Sequence, residues 1–329
     1  MHNFSYVDAR TITRAINLLG TERDRAKIIS GGTDLLDELK EGLIKPERLV
    51  NLKANPALKY IRFDAAAGLQ LGVLATLTEV ENDSNVRQHY PVLAQTIGLI
   101  ASPQLRNAAT VGGNLCQRPR CWYYRNDALF CKRKGGPICY SVAGENTYHA
   151  ILGGHECYIV HPSDLAPPLL ALGAKVTIAG PQGRRTIPLK EFFIGPEVDI
   201  TRENILAQNE LLTEISVPVP PAGTRGVYLK VRDRQTWDFA TVTAAAVLTM
   251  EGGVCRRAGV VLGAVAPIPW HSPEAEKVLT GARITLEVAN QAADAALSQA
   301  KPMTQNGYKV PLAKNLLRRA ILQAAGIEA

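Results

Sequence analysis

Thr110-Val111-Gly112-Gly113-Asn114 opens the stretch around which this chain is organised, and His161-Pro162-Ser163-Asp164 closes it. Between them lie Cys121, Cys131, Cys139 and Cys157, four of the six cysteines. A Gly-Gly turn stands at the entrance of a polar insertion and a carboxylate at its exit. Successive backbone N–H groups of such a turn converge on an anion. Thiols clustered without a secretion signal point to metal or cluster ligation and away from a disulfide framework.

Upstream, Lys27-Ile28-Ile29-Ser30-Gly31-Gly32-Thr33-Asp34-Leu35 repeats the theme. A short β-branched strand runs into two glycines, and Thr33 is placed to cap a helix reaching residue 40, with Gly42 beyond it. Either loop alone reads equally well as an ordinary turn that uses Gly for positive φ. Two such loops in one domain suit a ligand with two phosphates. G-x-G-x-x-G and G-x-x-x-x-G-K-[ST] are both missing from the sequence, so the nicotinamide and P-loop fingerprints do not apply.

Around these loops the pattern alternates short strands and helices. Strands are expected near residues 4–6, 27–29, 49–52, 59–63 and 69–74, with helices over 11–19 and 91–100. Thr76-Leu77-Thr78-Glu79 reads as a capping box. After the cysteine insertion, residues 165–172 form a short helix, with Asp164 as its candidate N-cap. Strands follow at 175–179, 186–189 and 211–217, the first two joined by a Pro181-Gln182-Gly183 turn. Pro218-Val219-Pro220-Pro221 marks a domain boundary. Beyond it, strand-like runs at 225–232, 240–250 and 258–265 precede a helix begun by Ser272-Pro273 and two amphipathic ones over 286–299 and 312–325.

The 329 residues exceed one ordinary core and predict two or three domains. Hydrophobic residues at 46% and charged residues at 20% are those of a soluble globular protein, and no apolar run reaches membrane-span length. The opening Met1-His2-Asn3-Phe4-Ser5-Tyr6 lacks the charged-then-apolar order of a signal peptide. A cytoplasmic protein is therefore expected, with periplasmic export on a partner's signal left open. The net charge of +7 is not laid out for nucleic acid, because no basic helix carries interleaved aromatics. Its densest part, Arg118, Arg120, Arg125, Lys132, Arg133 and Lys134, lies inside the cysteine insertion. Charge there either offsets an anionic cluster or meets an acidic partner, and for the individual lysines a solvated loop is the simpler reading.

With both glycine loops and the later Lys230-Val231-Arg232-Asp233-Arg234 placed, the chain resembles the FAD-binding subunits of molybdenum hydroxylases, the family of xanthine dehydrogenase, carbon monoxide dehydrogenase and aldehyde oxidoreductase. The likeness runs end to end, through 27–35, 110–114, Ser163-Asp164, Glu210-Leu211-Leu212 and Lys230-x3-Arg234-x3-Asp238-x-Ala240. It implies an α+β architecture. A p-cresol methylhydroxylase/vanillyl-alcohol oxidase-type FAD-binding domain would span 1–221 in two lobes, about 1–55 and 56–221, with an iron–sulphur loop at about 115–160. A C-terminal α+β domain, a sheet backed by helices, would span 222–329. Most of the family passes from Gly-Gly-Asn to Ser-Asp in a few residues, whereas about 50 intervene here. That insertion resembles two members holding a 4Fe–4S cluster in this loop, the β subunit of 4-hydroxybenzoyl-CoA reductase and the flavin subunit of three-subunit aldehyde oxidoreductases. Arg120-Cys121-Trp122-Tyr123-Tyr124 brings it nearer the second.

The resemblance implies an oxidoreductase subunit with no catalytic residue of its own. Electrons would come from 2Fe–2S clusters in a small partner, fed by a molybdenum cofactor in a large one, and leave through FAD to an external acceptor. It assigns FAD contacts to Lys27, Ile28, Ile29, Ser30, Gly31, Gly32, Thr33, Asp34, Leu35, Thr110, Gly112, Gly113, Asn114, Gln117, Asp164, Leu212 and Lys230. Leu212 and Lys230 would lie near the isoalloxazine, where the lysine's charge could stabilise an anionic reduced flavin. It assigns the cluster to Cys121, Cys131, Cys139 and Cys157. Their C-x9-C-x7-C-x17-C spacing alone leaves a cluster, zinc and free thiols all open. Cys116 reads as a packed thiol and the substitute ligand, Cys255 as a small buried residue, and His155 and His161 as neighbours of Cys157. A stand-alone flavin reductase of the same fold, an aromatic acyl-CoA reductase flavin subunit and a zinc-stabilised binding module are the alternatives.

Overall fold

The computed structural model describes every residue except Thr236 and Ala329. The chain begins with β1 (Ser5–Asp8), α1 (Ile12–Leu19), β2 (Ala26–Ile29), α2 (Leu35–Lys40) and β3 (Arg48–Asn51). These strands form an all-parallel sheet in the order β1-β3-β2, with Ser5 and Ala26 both facing Arg48. Thr11 caps α1 by accepting from the Arg14 N–H at 3.1 Å, and Gly20 ends it at φ +61°. One expectation fails at α2. Its N-cap is Asp34, not Thr33, and the Asp34 side chain makes no cap bond because it is turned toward the cysteine insertion.

A second lobe follows: β4 (Ile61–Asp64), β5 (Gly68–Gly72), α3 (Leu77–Asn82), α4 (Ser84–His89), α5 (Pro91–Gly98), α6 (Pro103–Ala108) and α7 (Val111–Leu115). Beyond the insertion come α8 (Ala166–Ala171), β6 (Lys175–Gly180), β7 (Gly183–Pro188) and β8 (Leu211–Val217). The five strands make an antiparallel sheet in the order β4-β5-β8-β6-β7. The capping box of α3 is complete, with Thr76 accepting from the Glu79 N–H and Glu79 accepting from the Thr76 N–H at 2.9 Å. Helix α6, not anticipated from its short sequence, starts on Ser102 and carries the chain into the second glycine loop. The N-cap of α8 is Leu165, not the expected Asp164, and Leu165 makes no side-chain cap bond. Ser163, one residue before Asp164, accepts from the Ala166 N–H at 3.1 Å. The insertion itself has little regular structure beyond a 3-10 turn at Lys132–Lys134.

The last part comprises β9 (Thr224–Val231), β10 (Val242–Glu251), β11 (Val254–Gly263), the short β12 (Trp270–His271), α9 (Pro273–Leu279), α10 (Leu286–Ala296) and α11 (Lys309–Ala324). Its antiparallel sheet runs β12-β11-β10-β9. Side chains of β10 alternate between two cores, as the period-2 geometry of a strand requires. Ala244, Ala246 and Leu248 pack with α10 and α11, whereas Ala245 and Val247 join the large core built around the five-stranded sheet. The C-terminal sheet is thus covered by helices on one face and fused to the core of the five-stranded sheet through the other. Ile151 and Leu152 of the insertion enter the helical core as well, and both donate to the Val265 carbonyl. The described residues contain no helix long and apolar enough to cross a membrane.

Candidate cofactor site

The two glycine loops meet. Ser30 Oγ and Thr110 Oγ1 lie 3.1 Å apart, and Thr110 accepts from the Gly113 N–H at 3.1 Å to start α7. Close approach explains the glycines better than turn geometry alone. A Cβ on Gly31 would stand 2.2 Å from the Ala108 carbonyl oxygen, and one on Gly112 would stand 2.7 Å from Val73 Cβ. No side chain fits at either position without driving the loops apart.

A cleft passes between them. One end, about 250 Å³, is walled by Leu52, Val73, Leu74, Leu206, Leu211 and Leu212. The other, about 640 Å³, is more polar, with Ile100, Arg106, Asn114, Asp164, Arg234 and Phe239 in its walls. Gly31, Gly32, Thr33, Asp34, Gly113 and Gln117 line both, so they form the neck. The shape suits a long ligand with an apolar flat end, an anionic middle held by backbone N–H groups and a polar far end, and its size is that of a cofactor site.

The positions expected to bind cofactor divide accordingly. Lys27, Ile28, Ser30, Leu35, Thr110, Gly112 and Leu212 line the smaller end, and Asn114 and Asp164 line the larger. Ile29 packs its side chain into a small core with Leu39 and Leu49. Leu212 lines the smaller end and Asp164 the larger. Lys230 lines neither end. It stands behind Asp164, donating to Oδ2 at 2.7 Å, while Tyr228 donates to Oδ1 at 2.6 Å. The lysine expected beside the isoalloxazine is thus ion-paired with Asp164, which lines the larger end. The Asn114 side-chain oxygen is taken by Ser163 Oγ at 2.6 Å, and Gln117 donates to the Asn114 carbonyl at 2.9 Å.

The basic cluster of the insertion splits by residue type. Lys132 and Lys134 stay at the surface, pairing with Glu156 and the Asn126 carbonyl. The arginines turn inward. Asp34 accepts from the Arg118 N–H at 2.7 Å, from Arg120 at 2.5 Å and from Arg125 at 2.7 Å. Glu203, buried, receives Arg118 on Oε2 at 2.9 Å and Arg133 on Oε1. Burial alone would raise the Glu203 carboxyl, but the two guanidiniums outweigh it and hold it below its ordinary range.

All six cysteines are free thiols. Cys121, Cys131, Cys139 and Cys157 ring one narrow void of about 10 Å³, enclosed by Tyr123, Tyr124, Tyr140 and Ile159. Cys116 faces the cleft instead, which removes it as a substitute ligand, and burial pushes its thiol up to about 12. Cys139 Sγ lies 3.1 Å from Ser141 Oγ, and its thiol is coupled to that of Cys157. That coupling, with Ser141, draws the Cys139 thiol down to about 5, and the coupling together with burial raises the Cys157 thiol. Burial raises Cys121 to about 11. No three Cys, His, Asp or Glu side chains among the described residues are grouped to hold a metal ion.

Two features of this ring escaped sequence reading. His149, not His155 or His161, is the histidine at a thiol, with Nε2 3.3 Å from Cys121 Sγ, and burial lowers its pKa to about 4. His155 is exposed, whereas His161 is buried against Phe193. Lys309 is fully buried on α11 and donates to the carbonyls of Tyr148, His149 and Ala264 at 2.9, 3.2 and 2.7 Å. It forms no ion pair among the described residues. Neither residue belongs to a motif, and both lie outside the cysteine spacing.

Residues 2–220 match the family model for the FAD binding domain in molybdopterin dehydrogenase, and residues 227–324 match that for the CO dehydrogenase flavoprotein C-terminal domain. The chain is 35% identical to the aldehyde oxidoreductase FAD-binding subunit PaoB of Escherichia coli strain K12, over 98% of this chain and 99% of that one. It is 28% identical to the carbon monoxide dehydrogenase medium chain of Hydrogenophaga pseudoflava, over 97% and 96%. The fold superposes on a chain of the Cu,Mo-CO dehydrogenase with a TM-score of 0.78 at 27% identity, covering 99% of both chains. On quinoline 2-oxidoreductase from Pseudomonas putida 86 the TM-score is 0.76 at 26% identity, covering 98% and 97%. With a two-loop cleft matched along its whole length, the chain belongs to the family of FAD-binding subunits of molybdenum hydroxylases.

Proposed function

We propose that the chain is the electron-transfer subunit of a molybdenum-dependent hydroxylase of the aldehyde oxidoreductase kind, with FAD across its cleft and a 4Fe–4S cluster on Cys121, Cys131, Cys139 and Cys157. The observation that carries this reading is the joint between cleft and thiol ring. Asp34 of the first glycine loop binds Arg118, Arg120 and Arg125 of the insertion, so the cysteine-bearing loop is built onto the cofactor wall.

FAD, when bound, takes up one or two electrons and yields them to an external acceptor. The neck residues Gly31, Gly32, Thr33 and Gly113 would hold its pyrophosphate through backbone N–H groups, close to the surplus of arginine charge around Asp34. The leucine-walled end, with Leu212, suits the adenine. The end with Ile100, Asn114 and Asp164 suits the isoalloxazine and the chain leading to it. Asp164, held by Tyr228 and Lys230, keeps lone pairs on both oxygens for a ligand hydroxyl or ring N–H.

Four thiols are a donor set that a cluster or a zinc ion can use, and the likeness of the insertion to cluster-bearing family members favours the cluster. Four thiols from separate turns face one enclosed void, and the buried cations Arg133 and Lys309 border the same loop. A buried ammonium with no carboxylate partner is costly unless an anion stands nearby, and a thiolate-bound cluster supplies one. The void is narrow, so cluster assembly must move the thiols outward, releasing their protons. A large molybdenum-cofactor subunit would oxidise the organic substrate and a small 2Fe–2S subunit would feed electrons to this chain, in line with its full-length similarity to PaoB and to the carbon monoxide dehydrogenase medium chain.

The test is to purify the protein anaerobically with its partners and to quantify iron, zinc and released flavin together with the visible spectrum. About four irons and one FAD per chain are expected. Flavin without iron after reconstitution would reject the cluster and leave a simple flavoprotein. Zinc without flavin would reject both.

A further inference from the structure

We infer that Arg118, Glu203 and Arg133 form one buried electrostatic bridge that ties the reduction potential of the thiol-bound cluster to the occupant of the flavin cleft. The inference rests on the cluster reading given above. Glu203 is a positioning residue whose side chain is 3% exposed. Its Oε2 lies 2.9 Å from Arg118 Nε, and its Oε1 accepts from Arg133 Nε at 2.9 Å. Arg118 lines the smaller end of the cleft. Arg133 lines the cysteine void and places Nη1 3.9 Å from Cys157 Sγ. Two cations at two different cofactor sites therefore share a single carboxylate.

Backbone carbonyls lock this arrangement. Arg133 also donates to Ile200 at 2.8 Å and to Arg202 at 3.1 Å, and Arg118 donates to Thr201 at 3.2 Å. The segment 200–203 thus serves as a template for both guanidiniums. Because arginine stays protonated, its field on the cluster is permanent.

The direction of the effect follows from charge. When the cluster gains one electron its negative charge increases, so a cation near Cys157 favours the reduced form and raises the potential. Glu203 mutes that cation. Arg118 in turn satisfies part of Glu203, leaving Arg133 more effective. Any anion entering the cleft beside Arg118 competes with Glu203 for it, and the change reaches Cys157 through the carboxylate. In a buried, low-dielectric setting such couplings are large compared with those at a surface.

The experiment is an anaerobic dye-mediated redox titration of the full complex, following the cluster by electron paramagnetic resonance. Arg133→Gln is expected to shift the one-electron equilibrium tenfold or more toward the oxidised cluster, about 59 mV. Arg133→Lys should recover most of that shift. Glu203→Gln should move the equilibrium the opposite way. Arg118→Gln, on the cleft side of Glu203 and not among the residues lining the cysteine void, should shift it several-fold in the same direction as Arg133→Gln, and a purely local role for Arg133 would not produce this. If the wild-type cluster titrates normally and the Arg118→Gln cluster titrates with it, the coupling is refuted while the cluster stands. If Arg133→Gln loses its cluster, Glu203→Gln and Arg118→Gln decide alone, and unmoved midpoints in both refute the bridge. A wild-type chain that holds no iron refutes the cluster reading first, a result distinct from either.

Discussion

Lys230 and Asp164 form an ion pair inside the wall of the larger cleft end, 2.7 Å from Nζ to Oδ2, with 1% and 7% of their side chains exposed. The lysine's other partner is the Leu99 carbonyl, and the aspartate's is Tyr228. This geometry makes the lysine a support for Asp164. Lys230→Met strands a buried carboxylate with one hydrogen bond, and the expected loss is roughly 3–5 kcal/mol in urea unfolding. Adding Asp164→Asn should recover most of it by removing the charge. A single-variant loss under about 1 kcal/mol would return Lys230 to the status of a free cation.

The glycine loops predict a separation between binding and stability. Gly31→Ala places a methyl group 2.2 Å from the Ala108 carbonyl oxygen, which is backbone and moves only with its loop. We expect the variant to retain less than about a tenth of the wild-type flavin on desalting, since the neck depends on the approach of two backbones. Gly307→Ala, where a Cβ meets nothing within 4 Å, should retain flavin fully. Equal retention by both variants would show that the neck does not grip the cofactor.

Lys309 gives a pH signature. Burial lowers its ammonium from 10.5 to about 7, while in the unfolded chain it keeps its ordinary value. Between those two values the unfolded state binds more protons, so unfolding free energy attributable to this group rises with pH, by at most about 1.4 kcal/mol per unit. The stability of the cluster-free wild type minus that of Lys309→Met should therefore increase from pH 7 to pH 10. A flat difference would mean that an anion near the site holds the charge in the folded chain.

What could be read from the sequence was local. The Gly-Gly pairs and the Thr76–Glu79 capping box are visible as local motifs, but only the fold shows that Gly31 is required by the approach of the Ala108 backbone and Gly112 by the Val73 side chain. The arginines were harder. In a loop without periodicity nothing separates Arg133, buried, from its surface neighbours Lys132 and Lys134. Glu203 lies far along the chain from both of its partners, in a segment with no motif, and only folding brings it between Arg118 and Arg133. The same holds for Leu212 and Asp164, both flavin-family positions that the fold sets at different ends of the cleft.

The thiols supply the last prediction, because Cys116 and Cys121, five residues apart, face different cavities. On the proposed cluster assignment Cys116→Ser should keep iron, since the side chain borders the cleft and not the ring. If the proposed cluster is present, Cys121→Ser removes one of its thiolates, since a serine hydroxyl is not ionised at neutral pH, while the glycine neck would still hold flavin. His149 complicates the readout: its Nε2 sits 3.3 Å from the same sulphur and, being neutral, can stand in as a nitrogen ligand. We therefore expect Cys121→Ser to show partial iron with an altered spectrum, and Cys121→Ser/His149→Ala to lose iron with FAD retained. Iron lost from Cys116→Ser but kept by the double variant would move the cluster to the other cavity and overturn the assignment of all four ligands.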